Sequence, residues 1–139
     1  MLKNFLRILL IVLAFFLALT AFAGGIGLLA DLNTPPVEML NGSPFSDYSI
    51  PGLALFVLVG GGALASAVLL LRRHPWAVFA AGAAGIMIIF FEIVEVLVIG
   101  SDPGVARGLQ IFYFSLGLVI ALLSAGLWAT GRVKPLHQE

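Results

Sequence analysis

The sequence predicts an all-α, polytopic membrane protein: a bundle of four transmembrane helices with both termini in the cytoplasm. Of its 139 residues, 61% are hydrophobic and only 10% are charged, whereas a soluble domain carries about 25% charged residues. Four apolar runs are each at least as long as the roughly 20 residues that cross a bilayer. The length suits a single domain, residues 1–139, with helices over about 5–30, 51–71, 77–99 and 105–129.

The first apolar run, 5–30, begins behind the basic residues Lys3 and Arg7. A secretory signal peptide has an apolar core of only about 7–15 residues, and here three further apolar runs follow. We therefore predict a transmembrane helix rather than a signal peptide. Small residues recur on one of its faces and predict close approach of another helix. These residues are Ala14, Ala18, Ala21 and Gly25.

The long connection 31–50 contains three prolines and the turn signal Asn41-Gly42. Its middle, Val37–Leu40, is too apolar for a fully solvated tether. We predict a short helical turn here, lying on the membrane surface or folding back over the bundle. Loops of this length without secondary structure are uncommon unless they have a function.

The second run, 51–71, starts at Pro51, a residue favoured at a first helical position. Gly60, Gly61 and Gly62 lie near its middle. They predict either close contact between helix backbones or a point at which the helix bends. The basic turn 72–75 follows, and Trp76 is placed at the membrane interface.

The third run, 77–99, contains two carboxylates, Glu92 and Glu95, within an otherwise apolar stretch. Helical spacing places them on one broad face, with Phe90 and Phe91 pointing elsewhere. The predicted face comprises Gly85, Ile88, Glu92, Glu95, Val96 and Ile99.

The fourth run, 105–129, follows a tight turn at 101–104 and carries a stripe of polar and small residues. Polar side chains gain nothing from facing lipid, so we predict that the stripe points into the bundle. The stripe is Gln110, Tyr113, Gly117, Ala121, Ser124 and Trp128.

The basic residues predict the orientation. Six lie on one side of the four-helix arrangement, and only Arg107 lies on the other. By the positive-inside rule, we predict a multi-pass protein with both termini in the cytoplasm and loop 31–50 outside. The six are Lys3, Arg7, Arg72, Arg73, Arg132 and Lys134.

The acidic pair predicts the functional site. A charge at membrane depth costs at least about 2.5–3.5 kcal/mol, so such residues face a bundle interior, a partner or a cavity. The tight turn brings the end of the third helix beside the start of the fourth. We therefore expect one polar cluster in the outer half, covered by the loop. Its members are Glu92, Glu95, Arg107, Gln110 and Tyr113.

Three interpretations of this cluster are open. It fixes the helix register, with Glu95 paired to Arg107 and Glu92 accepting hydrogen bonds from Tyr113 or Gln110. Alternatively, it lines a water-filled outer cavity as a ligand or proton site. A hard cation is the third interpretation, but calcium needs about 6–8 oxygen ligands, so no metal ligand is assigned.

The sequence does not contain the residue sets that several classes of catalytic and cofactor-binding sites require. The absence of cysteine excludes disulfides, thiolate catalysis and Fe–S clusters. No Ser-His-Asp set, HExxH motif, phosphate-binding glycine loop or Glu-x-x-His motif is present, and His74 and His137 lie on the basic side. We expect neither catalysis nor a cofactor, and no motif predicts nucleic-acid binding.

The leading hypothesis is therefore a non-enzymatic membrane protein that uses an outward-facing polar pocket. The pocket would bind a small or lipid-like ligand, or a partner subunit. Two alternatives are a proton-coupled small transporter acting as a homo-oligomer, and a structural accessory subunit of a larger membrane complex. In every case the lipid bilayer is the surrounding partner.

Three segments carry a family resemblance: "GSPFSDYSIPG", "RRHPWA" and "EIVEVLVIG…LQIFYFSLG". Over most of its length the chain resembles small bacterial four-helix integral membrane proteins, broadly DoxX-like. The loop phrase 42–52, Glu95, and Gln110 with Tyr113 are similar to positions in those proteins. The resemblance implies a bacterial cytoplasmic membrane and no established activity. Small multidrug transporters also have four short helices and a membrane glutamate. Their glutamate lies in the first helix, whereas the first helix here has no charge after Arg7, so the chain does not match them.

Overall fold

A computed structural model describes residues 1–32 and 34–132. This part of the chain is helical, without strands, and contains four helices long and apolar enough to cross a membrane. They are α1 (Leu2–Leu29), α2 (Ser49–Leu71), α3 (Ala77–Ile99) and α4 (Val105–Arg132). The prediction of an all-α, four-helix membrane protein is confirmed. Lys134 and His137 lie outside the described residues.

The bundle has two distinct ends. At the basic end, which holds the start of α1 and the turn 72–76, Leu10, Leu70 and Leu127 pack together and are at most 5% exposed. The loop end holds the connections 30–48 and 100–104. Many large apolar side chains on the outer surface are exposed, as expected for a surface that contacts lipid rather than water.

Glycines set the closest helix contacts. A Cβ atom added to Gly85 of α3 would lie 2.7 Å from the carbonyl oxygen of Gly117 in α4. On α1, a Cβ atom at Gly25 would lie 2.7 Å from the Cβ of Phe56. The small-residue face predicted for α1 is confirmed, since Ala14, Ala18, Ala21 and Gly25 are all buried.

Helix α2 is not a regular α-helix throughout. Residues Ala54–Gly61 form a π-helix between two α-helical segments, and π-helical turns occur frequently at functional sites. Gly60 is in close contact, because a Cβ atom there would lie 2.8 Å from the Phe22 ring. Gly61 and Gly62 have open space beside them. The glycine run therefore combines one close contact with an altered helical winding.

The connection between α1 and α2 folds over the bundle, as one of the two predicted arrangements had it. Val37–Leu40 form a 3₁₀-helix that contacts α3, and Leu40 is 2% exposed. The hydroxyl of Tyr48, itself buried, donates a hydrogen bond to the carbonyl of Pro36 at 3.2 Å. This bond joins the residue before the 3₁₀-helix to the residue before α2.

Three details of the predicted helix faces are wrong. Val96 is 40% exposed, because it lines a gap that opens between α3 and α4 toward the loop end. Phe91, predicted to point elsewhere, packs against the buried core. On α4 the stripe is buried at Gln110, Gly117 and Ser124 but not at Trp128, which is 43% exposed.

Candidate ligand site

The close contact between Gly85 and Gly117 sets the height of the polar residues. Glu92 follows Gly85 by seven residues, and Gln110 precedes Gly117 by seven. Seven residues are about two helical turns. Because α3 and α4 are antiparallel, both side chains lie at the same level on the loop side of the contact. Both are buried, with 6% of Glu92 and 7% of Gln110 exposed.

Gln110 is held in place by the end of α3. Its side-chain Nε2 donates a hydrogen bond to the carbonyl oxygen of Gly100 at 3.0 Å. Gly100 ends α3 with φ of 92°, a left-handed conformation that glycine adopts readily. The bond satisfies one of the carbonyls left free at a helix C-terminus and fixes the start of α4 against the end of α3.

The carboxyl groups of Glu92 and Glu95 are close enough to interact directly, and the side chain of Gln110 lies beside Glu95. Two buried oxygen atoms in this group have no hydrogen-bond partner: Oε2 of Glu92 and Oε1 of Gln110. Buried polar atoms without partners are rare and costly. The cluster therefore has free acceptors on a carboxylate and on an amide.

A cavity of about 230 Å³ lies beside these residues, and all four helices contribute to its wall. We call it the central cavity. It brings together four of the five predicted site residues, Glu92, Glu95, Gln110 and Tyr113. Its remaining wall residues are Leu17, Thr20, Ala21, Gly24, Leu55, Ile88, Phe91 and Leu109.

A larger cavity of about 560 Å³, the loop cavity, lies under the connection between α1 and α2. Its wall is almost entirely apolar, and among the described residues that line it the titratable side chains are the carboxyl of Glu95 and the phenol of Tyr48. The π-helical segment contributes Ala54, Leu55 and Leu58. Five residues also line the central cavity, so the two cavities adjoin: Gly24, Leu55, Phe91, Glu95 and Leu109.

A third space of about 320 Å³ is a groove between α3 and α4. Glu92 and Gln110 line it as well as the central cavity, together with Val96 and Phe114. The acidic pair therefore lies where three cavities meet, Glu92 toward the groove and Glu95 toward the loop cavity.

Tyr48 is a site residue that the sequence analysis did not identify. It lines the loop cavity and is only 5% exposed. Burial raises the pKa of the Tyr48 phenol, and the nearby carboxylates of Glu95 and Glu38 raise it further. The available signal was the apolar and aromatic content of the connection, which indicated that part of it would be buried.

Arg107, the fifth predicted site residue, lies apart from the others. It is exposed, and its guanidinium donates hydrogen bonds to the carbonyl and the hydroxyl of Ser101. In the part of the chain that the structure describes, this contact replaces the anticipated pairing with Glu95. An exposed guanidinium keeps its hydration, which it would lose by entering the bundle.

Ser124, also in the predicted stripe, is satisfied within its own helix, since its hydroxyl donates to the carbonyl of Ile120 at 2.7 Å. Within residues 1–32 and 34–132, no group of three His, Asp or Glu side chains could hold a metal ion. The site is therefore described by its carboxyl, amide and phenol groups alone.

Comparison with known proteins gave no relatives: no family model matches the chain, and neither the curated proteins nor the solved structures contain a match. The resemblance to DoxX-like proteins thus stays a prediction.

Proposed function

We propose that this multi-pass membrane protein is a non-enzymatic binder of a small, lipid-like ligand. The loop cavity would take the apolar chain of the ligand, and the adjoining central cavity would take its polar head. The observation that carries this proposal is an apolar cavity of about 560 Å³ with a carboxylate, Glu95, in the wall that it shares with the polar cluster. Ligand pockets are typically apolar cavities with a few placed polar groups.

The connection between α1 and α2 supports the proposal because it supplies a cover. Leu40, Phe45 and Tyr48 line the loop cavity from this connection. Their apolar surface faces the cavity rather than water, and the Tyr48 hydrogen bond to Pro36 holds the cover closed. A ligand with an apolar chain would gain contact with this cover as well as with the helices.

The close packing of the bundle at the basic end favours a ligand-binding protein over the transporter alternative. A transporter needs a carboxylate that is reached in turn from both sides of the membrane. Toward the basic end, Ala63, Leu70 and Ala81 are at most 1% exposed and close the bundle beneath the acidic pair. The three cavities described above all lie on the loop side of this layer.

The proposal includes an orientation. Lys3, Arg7, Arg72 and Arg73 lie at the basic end, and Arg107 lies at the loop end. The positive-inside rule then assigns the basic end to the cytoplasm and the covered cavity to the outer side of the cytoplasmic membrane. A ligand would reach the site from the outer leaflet or from the outer aqueous phase.

The test is thermal unfolding of the purified protein in a non-ionic detergent with and without a series of primary n-alkylamines. We expect the unfolding temperature to rise with amine concentration, and the gain to grow with chain length, because each buried methylene adds about 0.8 kcal/mol. Ala54→Phe places a ring on the wall of the loop cavity and should abolish the gain.

The matched control is Ala65→Phe, which makes the same change on the same helix at an exposed, lipid-facing position. This variant should keep the parent's response. If Ala54→Phe and Ala65→Phe respond alike, binding does not involve the loop cavity. If no amine of any chain length stabilises the parent, and neither the corresponding alcohol nor the carboxylate does, the proposed function is wrong.

A further inference from the structure

From the two unpartnered acceptors we infer that the ligand carries a primary ammonium group. It is bound by Glu92, Glu95 and Gln110, while its apolar chain occupies the loop cavity. The inference rests on the proposed function and adds the chemistry of the head group. Oε2 of Glu92 and Oε1 of Gln110 are both buried without a partner, on side chains that are more than nine-tenths buried.

The two unpartnered oxygen atoms determine whether the head group of the ligand must donate or accept hydrogen bonds. A carboxylate oxygen and an amide carbonyl oxygen only accept hydrogen bonds in these forms. A carboxylate or phosphate head would bring further acceptors and negative charge to the same place. The head group must therefore supply N–H or O–H donors.

Charge narrows the choice among donors. Glu92 and Glu95 place two carboxyl groups in direct interaction within apolar surroundings. Like charges at such a distance repel, and an opposite charge favours the ionised form of both. The cation of this chain in the region, Arg107, is instead engaged with Ser101 at the surface. A cationic head group would supply, beside Glu92 and Glu95, the positive charge that Arg107 does not supply.

The count of donors separates a primary ammonium from a quaternary one. A primary ammonium has three N–H donors, enough for Glu92, Gln110 and Glu95 together. A trimethylammonium group carries the same charge but has no N–H, so both acceptors would stay unpartnered. The central cavity, at about 230 Å³, adjoins the loop cavity through Glu95, which allows one molecule to reach both.

The experiment compares four probes of equal chain length on the parent protein: dodecylamine, dodecyltrimethylammonium, dodecanol and dodecanoate. Dissociation constants are obtained from the unfolding temperature as a function of probe concentration in the same detergent. We expect dodecylamine to bind about tenfold more tightly than dodecyltrimethylammonium, the value of one charge-assisted hydrogen bond. Dodecanol should be weaker still, and dodecanoate weakest.

A second arm uses matched carboxyl-to-amide changes. Glu92→Gln should remove most of the preference for dodecylamine over dodecanol, whereas Glu38→Gln, at an exposed position of the connection between α1 and α2, should leave it intact. Lysophosphatidylethanolamine distinguishes a lipid head group from a simple amine. Binding as tight as that of dodecylamine would assign the same ammonium chemistry to a membrane lipid.

Equal binding of dodecylamine and dodecyltrimethylammonium would overturn the primary ammonium, because only the first carries N–H donors. Equal binding of all four probes would overturn the ammonium while leaving the apolar cavity in place, with water rather than ligand on the free acceptors. Tighter binding of dodecanoate would overturn it outright. The probe series needs only the parent protein, so it stands even if Glu92→Gln does not fold.

Discussion

The backbones of Gly85 and Gly117 are in close contact across the interface between α3 and α4. A Cβ atom on either glycine would lie 2.7 Å from the carbonyl oxygen of the other. The contact fixes the register of the two helices, and two turns further toward the loop end that register places Glu92 beside Gln110. The site therefore depends on a contact that contains no polar side chain.

Gly117→Ala should destabilise the protein by about 1–3 kcal/mol, because the added methyl group forces the helices apart. Gly108→Ala is the matched control on the same helix, where a Cβ atom meets nothing within 4 Å. It should leave stability unchanged or raise it slightly, since alanine is the better helix former. Denaturation in mixed micelles measures both; equal stability of the two variants would contradict the contact.

Gln110→Leu should cost about 1–3 kcal/mol of unfolding free energy, since it leaves the Gly100 carbonyl without the partner seen at 3.0 Å. Gln110→Glu removes the same donor in its ionised form and adds a third carboxylate, so it should cost more. Thermal unfolding tests the order. A Gln110→Glu variant as stable as the parent would mean that the bond to Gly100 contributes nothing.

Arg107 and Glu95 should act independently. The guanidinium contacts Ser101 at the exposed surface, so Arg107→Ala should change stability by no more than about 0.5 kcal/mol. In a double-mutant cycle with Glu95→Gln, the two changes should be additive to within about 0.5 kcal/mol. A larger coupling energy would indicate that Arg107 and Glu95 form an ion pair after all.

Tyr48 should make stability fall at alkaline pH. Burial, with Glu95 and Glu38, raises its pKa above 10.0 in the folded protein. The folded state then holds the phenolic proton more tightly than the unfolded state does. This contribution is fully present below pH 10.0 and is lost as the pH rises through the folded pKa. Unfolding measured on both sides of pH 10.0 should show a steeper loss for the parent than for Tyr48→Phe; identical slopes would contradict the assignment.

The orientation can be tested with single cysteines, because the chain has none of its own. Ser46→Cys and Ser101→Cys should react with a membrane-impermeant thiol reagent in intact cells. Gly131→Cys, at the basic end, should react only after the membrane is opened. Labelling of Gly131→Cys in intact cells would reverse the orientation drawn from the basic residues.

The sequence by itself determined the class, the number of helices and most of the inward-facing residues. These depend on local properties: the length of an apolar run, the spacing of small residues such as Ala14 and Ala18, and the cost of placing Glu92 in lipid. It also indicated that Gln110 and Tyr113 would lie near the acidic pair, because a tight turn must return the chain beside itself.

Only the tertiary structure decided what surrounds that pair. The depth of Tyr48, the π-helical winding of Ala54–Gly61 and the position of Arg107 depend on contacts between segments distant in the sequence. Cavities arise where helices diverge, and divergence follows from the few points at which they touch, such as Gly85 with Gly117. The spacing of residues along one helix carries no information on the distance between two helices. The space that would hold a ligand is therefore a property of the assembled bundle.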